Sequence, residues 1–107
     1  MQLPAPIKTY FEADQELVGA SPIQLFTQNA IVRDEGKTHI GHDAITAWWI
    51  AAKAKYQHKA EPCELSYEPH AIHVRAKVTG QFPGSPALLT FAFQLEDERI
   101  AILEITA

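Results

Sequence analysis

Cysteine is almost missing from this sequence. Cys63 stands alone among 107 residues, so no internal disulfide can form, and a reducing, cytoplasmic compartment suits the chain. A basic excess is missing too. Nine Lys and Arg against 13 Asp and Glu leave a net charge of −4, whereas a general nucleic-acid binder needs a basic face for phosphates. No run of like charges is long enough to form a tail. No apolar run approaches the roughly 18 residues of a membrane span. The opening MQLPAPIKTYFEADQ has prolines and charges where a signal peptide needs an unbroken apolar segment. Phosphate-loop, Ser/His/Asp and Cys/His nucleophile patterns are absent. His70-x-x-His73 straddles a turn or opposite faces of one strand, and His39-x-x-His42 crosses a strand–helix junction. Neither makes the tight cluster a metal needs, so no metal is expected.

What is present suits a single domain, 1–107, whose 47% apolar content is enough for one core. No internal repeat or linker divides it. Pro4 and Pro6 suit a helix start, and Ile7, Tyr10, Phe11 and Asp14 follow at helical spacing, which puts Tyr10 on the inward stripe. SPIQLF predicts a second, short helix with Ser21 as cap, Pro22 in the first position and Gln24 reaching back, closed by Asn29. AIVRDEGKTHI reads as two short strands around Glu35-Gly36.

The strongest helix signal runs from His42 to His58. Ile45, Trp48 or Trp49, Ala52 and Tyr56 form its apolar stripe. Ala44, Ala47, Ala51 and Ala54 lie beside it, suited to close packing on a sheet. Lys53, Lys55, His58 and Lys59 fall late, where cations favour the helix dipole, and Pro62 prevents continuation. Strand follows strand after that. CELSY and AIHVRAKVTG alternate, with Ile72, Val74, Ala76 and Val78 on one face. ALLTFAFQLE and RIAILEITA read as apolar on both faces and so need cover on both. Three helices can cover one face; the other predicts a second subunit, a homodimer formed sheet against sheet. If Leu103 and Ile105 point inward, Glu104 falls on that interface side. Helices first and a meander afterwards give an α+β fold, a curved antiparallel sheet with three N-terminal helices on one side.

The order of elements, together with FTQNAIVRDEG…HIGHDAITAWW, resembles the nuclear transport factor 2-like superfamily, closest to its SnoaL-like and ketosteroid isomerase-like members. The resemblance implies a cone-shaped fold enclosing an apolar pocket for a small, mostly apolar molecule. It implies proton chemistry on a carbonyl compound without a cofactor, or else a non-catalytic ligand-sensing or dimerisation domain. TYFEAD resembles the segment carrying a donor tyrosine, matching Tyr10, and VRD the segment carrying the base, matching Asp34. Trp48 and Trp49 fall where that family places pocket aromatics, and Phe91 and Phe93 would complete the walls. Steroid isomerases carry a second acid where Phe91 stands here, and phenylalanine donates no hydrogen bond.

From the residues alone, Asp34 is a base in an apolar cavity or a turn residue bonding the backbone near Gly36. Tyr10 is a ligand donor or a half-buried tyrosine satisfied at the rim. A two-residue turn at Glu35-Gly36 pairs Asp34 with Lys37 and Val32 with His39. Asp34 and His39 then share a face as an acid–base couple; a longer loop turns His39 into solvent. His42 reaches the pocket mouth or lies exposed in the first turn. Arg33 alternates away from Asp34, and Cys63 reads as a small core residue.

Overall fold

A computed structural model of the chain describes residues 1–16 and 21–107. Helix α1 (Ala5–Asp14) comes first, followed by one 3₁₀ turn (Ile23–Leu25). Strands β1 (Phe26–Asp34) and β2 (Lys37–Ile40) form a hairpin, and α2 (His42–Tyr56) follows. Strands β3 (Lys59–Tyr67), β4 (Ile72–Thr79), β5 (Ala87–Glu96) and β6 (Arg99–Thr106) complete the chain. All six strands join one sheet in the order β2-β1-β6-β5-β4-β3. The α+β class is therefore as expected. The sheet is not wholly antiparallel, because β1 runs parallel to β6. Parallel neighbours need a long crossover, and here α2 and the β3–β5 meander supply it. Register shifts in β1, β3 and β5 bend the sheet around its helices.

Among the described residues there are two α-helices, not three. SPIQLF forms only the 3₁₀ turn, and Phe26 to Asn29 already belong to β1. Ser21 does not cap; among the described residues its Oγ is buried without a partner. Phe26 explains the outcome: it is 1% exposed and sits level with Ile100 of β6, so burial and strand pairing outweigh a local capping signal.

The inward stripe of α1 is as the spacing predicts, with Ile7, Tyr10, Phe11 and Asp14 all buried. In α2 the buried residues are Ile45, Trp49 and Lys53, four apart. That stripe chooses Trp49 over Trp48 for the core and turns a lysine inward. The helix stops at Tyr56, before His58, where Gln57 takes a left-handed conformation at φ 48° and its N–H bonds the Lys53 carbonyl. Ala47, Ala51 and Ala54 face solvent rather than the sheet, since they lie on the side of the helix opposite Ile45.

The hairpin turn has two residues. Glu35 and Gly36 both have positive φ, 54° and 74°, and Asp34 pairs with Lys37 and Val32 with His39. The inner face of the sheet carries Val32, Val74, Ala76, Phe91, Phe93 and Leu103, all buried. The outer face is less apolar than β5 and β6 suggested. On β5 it shows Leu88, Thr90, Ala92 and Gln94, while Leu89, Phe91, Phe93 and Leu95 point inward with the core. Leu103 and Ile105 also point inward, and Glu104 lies outward and exposed.

Candidate functional site

Asp34 ends β1 on the inner face, two residues beyond buried Val32. The two-residue turn fixes its backbone, and α2 brings Trp48 over it. The Trp48 indole N–H donates to Asp34 Oδ2 at 3.1 Å. Burial pushes the Asp34 carboxyl above the ordinary carboxylate range. The Trp48 hydrogen bond opposes that rise, and the neighbouring Glu35 charge adds to it. Asp34 is thus a half-buried carboxylate with an interior partner.

Tyr10 lies deeper, 2% exposed. Its ring centroid is 5.2 Å from Phe11, 5.5 Å from Phe93, 5.6 Å from Trp49, and 6.3 Å from both Phe26 and Phe91. Most of these contacts are edge-to-face, the arrangement aromatic quadrupoles favour. Burial raises the Tyr10 hydroxyl well above its usual pKa, and the charges of Asp14 and Asp34 add to the effect. Tyr10 therefore keeps its proton at any working pH, and it feels the Asp34 carboxylate. Phe91 stacks on Phe93 at 6.5 Å and offers Tyr10 an aromatic edge but no second donor.

The remaining candidates divide. His39 does turn inward beside Asp34, as the short turn requires, but its ring stands 6.1 Å from Trp48, and among the described residues no hydrogen bond joins it to Asp34. Trp48 is half-buried and Trp49 is buried, 6.1 Å apart. His42 is half-buried rather than free in the first turn; its Nε2 lies 3.0 Å from the Phe26 carbonyl, pinning α2 to the start of β1. Arg33 points outward. Cys63 is exposed, not core, because the β3 register shift between Pro62 and Glu64 turns it out, with its Sγ 3.3 Å from the Arg75 carbonyl. A depression of about 200 Å³ lined by Glu64, Ser66, His73, Arg75 and Thr90 lies on the outer face, across the sheet from Asp34. No group of three or more potential metal ligands occurs among the described residues.

One cluster was not anticipated. The Lys53 ammonium donates to Asp14 Oδ1 at 2.9 Å, to the Asp14 carbonyl at 2.6 Å and to the His58 carbonyl at 2.8 Å. Asp14 Oδ2 accepts the Ala60 N–H at 2.7 Å, and His58 Nε2 lies 3.3 Å from Oδ1. The Gln15 side chain bonds the Ala60 carbonyl. Burial works to raise the Asp14 carboxyl, but the bonds and charges of His58 and Lys53 outweigh it and hold the group below its usual range. Desolvation lowers the Lys53 ammonium, with Asp14 opposing. All three N–H bonds of Lys53 are used, so the cluster staples the ends of α1 and α2 to β3 rather than offering a free amine. Lys53 also sits 5.3 Å from the Trp49 ring centroid and so braces the aromatic cluster. The signal was in the sequence: Asp14 on the α1 stripe, and Lys53 four residues after Trp49.

No protein-family profile matches the sequence, and no curated protein matches it. Solved structures do. A Sinorhizobium meliloti protein assigned as a polyketide cyclase is 44% identical, with a TM-score of 0.91 over 97% of this chain and 95% of that one. A ketosteroid isomerase-like protein from Catenulispora acidiphila, solved with trimethylamine, is 15% identical with a TM-score of 0.84, covering 99% of this chain and 87% of that one. The epoxide hydrolase/cyclase-like enzyme SalBIII, which acts in pyran ring formation in the polyether salinomycin, is 18% identical with a TM-score of 0.70, covering 95% and 87%. The two distant structures share the fold with this chain.

Proposed function

The chain belongs to the nuclear transport factor 2-like superfamily, with a SnoaL-like fold, and from that premise we propose that its interior site binds a small, mostly apolar carbonyl compound and moves a proton on it. The observation that carries this reading is the Asp34 carboxylate. It is raised by burial, faces the inner side of the sheet, and lies within electrostatic reach of a permanently protonated Tyr10. Asp34 takes a proton from the carbon next to the carbonyl, and the electron pair moves onto the oxygen. Tyr10 donates to that developing oxyanion. Return of the proton to a different carbon is an isomerisation; loss of a β-leaving group is an elimination. The same carbanion also primes ring closure onto a second carbonyl; the Sinorhizobium relative is assigned as a polyketide cyclase. Trp48, Trp49, Phe91 and Phe93 shape the walls, and His39 stands at the Asp34 end as a second proton carrier. No cofactor enters these steps.

Asp34→Asn keeps the shape and the Trp48 contact but removes the base. Turnover of apolar carbonyl compounds is expected to vanish while the fold and ligand binding persist. Turnover surviving this substitution would exclude Asp34 as the base.

A second reading is favoured by Phe91, which leaves Tyr10 without the companion acid of the steroid isomerases, and by the close aromatic packing around Tyr10. In it the domain binds an apolar ligand, or pairs with a partner, without turnover. Binding without turnover across a broad panel supports that alternative. In either case we infer a homodimer through the outer face of the sheet. Exposed Leu88 and half-buried Ile31, Ala92 and Ile102 supply its apolar part.

A further inference from the structure

Asp34 has two oxygens, and the structure treats them differently. Oδ2 receives the Trp48 indole N–H at 3.1 Å, whereas Oδ1 takes no side-chain hydrogen bond among the described residues. Trp48 is itself held on two sides. The His39 ring lies 6.1 Å away at a tilt of 33°, and the Trp49 ring 6.1 Å away, nearly perpendicular at 71°. Trp49 in turn rests against Tyr10 at 5.6 Å and beneath the Lys53 ammonium at 5.3 Å. A chain of packed rings therefore runs from the core to the indole N–H. The Asp34 backbone is fixed independently, by the left-handed pair Glu35 and Gly36. The hairpin tip is anchored as well, since the Tyr56 hydroxyl donates to Glu35 Oε1 at 2.7 Å.

We propose that Trp48 is the positioning residue of this site: its indole N–H holds one oxygen of Asp34 and leaves Oδ1 as the oxygen that takes the substrate proton. The proposal rests on the proton-moving reading above and assigns within it a role to a residue otherwise counted as pocket wall. A carboxylate free to rotate presents either oxygen in many orientations. One tethered at Oδ2 presents a single basic lone-pair set, which is the preorganisation proton transfer needs. The same bond favours the ionised carboxylate against the desolvation that disfavours it. The bond thus limits how far burial raises the base. Other charged or titratable groups face Asp34 or its surroundings: Glu35 and Lys37 from the turn, His39 from β2, Tyr10 from α1, Tyr56 from α2, and His58 from the segment before β3. Of the described side chains, Trp48 is the one that donates a hydrogen bond to the carboxylate, and the Glu35 backbone N–H bonds it as well from the turn.

The test needs no substrate at first. The Asp34 carboxyl carbon and the Trp48 indole N–H are followed by NMR as pH is varied. In the native chain both are expected to titrate with one midpoint, and in Asp34→Asn the indole step is expected to disappear. In Trp48→Phe, which keeps a ring but has no donor, the Asp34 midpoint is expected to move upward. An indole resonance blind to Asp34, or an unmoved midpoint in Trp48→Phe, would overturn the proposal. Kinetics then separate the two ideas. With any substrate that turns over, Trp48→Phe is expected to lower kcat by about tenfold with KM changed little, and to shift the acidic limb of the pH profile upward. Native kcat and pH profile in Trp48→Phe would refute positioning while leaving Asp34 as the base. Coupled titrations with turnover that is indifferent to Asp34→Asn would refute the proton-moving reading, and with it the assigned role, while leaving the hydrogen bond itself established. Should Trp48→Phe fail to fold, the indole titration in the native chain and in Asp34→Asn still decides the coupling.

Discussion

Replacing Lys53 by methionine removes one charge from the interior at nearly constant volume. Lys53 is 6% exposed and Asp14 is 1% exposed, so solvent cannot replace what is lost. The substitution leaves the Asp14 carboxylate with the Ala60 N–H and the His58 ring, and it strips the donor from the Asp14 and His58 carbonyls. Breaking one side of a buried pair costs about 3–5 kcal/mol. For a domain of this length that corresponds to a fall in Tm of roughly 15–30 °C. Thermal unfolding followed by circular dichroism measures it. The double variant Asp14→Asn/Lys53→Met should recover part of the loss, because no unpaired charge remains and asparagine still accepts from Ala60. The pH dependence carries a sign as well. The folded Asp14 carboxyl lies below its unfolded value, so its stabilisation is complete above the ordinary carboxylate pKa of about 3.9. It is lost as pH falls through the lower, folded value. Lys53→Met should therefore be most damaging near neutral pH and least damaging in acid. A loss below about 1 kcal/mol at pH 7, or one independent of pH, would refute the view that this pair staples the helices to the sheet.

The other interior aspartate should behave oppositely. The folded Asp34 carboxyl is raised, so its favourable state is fully present below about pH 3.9 and is lost as pH climbs through the folded value. Asp34→Asn should consequently match the native chain in acid and exceed it at pH 7, as urea unfolding would register; a clear destabilisation at pH 7 would contradict the raised carboxyl. The proposed homodimer should appear in sedimentation equilibrium at micromolar protein as twice the monomer mass, weakened by Leu88→Glu on the outer face. A monomer persisting at high concentration would remove the interface and leave the outer face simply solvated.

Much of this architecture is legible in the amino-acid order, and the exceptions have physical causes. The α1 stripe and the Glu35-Gly36 turn follow from local rules, and the turn length alone decides that His39 points inward. The inward Asp34 follows from strand alternation. SPIQLF misleads because its capping pattern is local, whereas Phe26 is committed to a parallel neighbour far away in sequence, Ile100. Lys53 misleads because a lysine late in a helix ordinarily serves the dipole, and only the arrival of Asp14 from another helix makes burial tolerable. Cys63 is turned out by a bulge that no periodicity announces. Strands β5 and β6 look apolar on both faces because small and β-branched residues such as Ala92 and Ile102 occupy outward positions beside Gln94 and Glu104. At the candidate site, Asp34 could be found from its place after an apolar strand, but the indole holding it depends on which tryptophan the Ile45–Trp49–Lys53 stripe leaves at the side.

If Asp34 moves a proton on a carbonyl compound, hydrogen–deuterium exchange reveals it without knowledge of the product. A panel of small apolar ketones and enones is incubated with the protein in heavy water, and deuterium entering next to the carbonyl is followed by NMR. Incorporation well above the buffer rate is expected with the native chain for at least one compound, falling to the buffer rate in Asp34→Asn. Incorporation equal in the two proteins would contradict it.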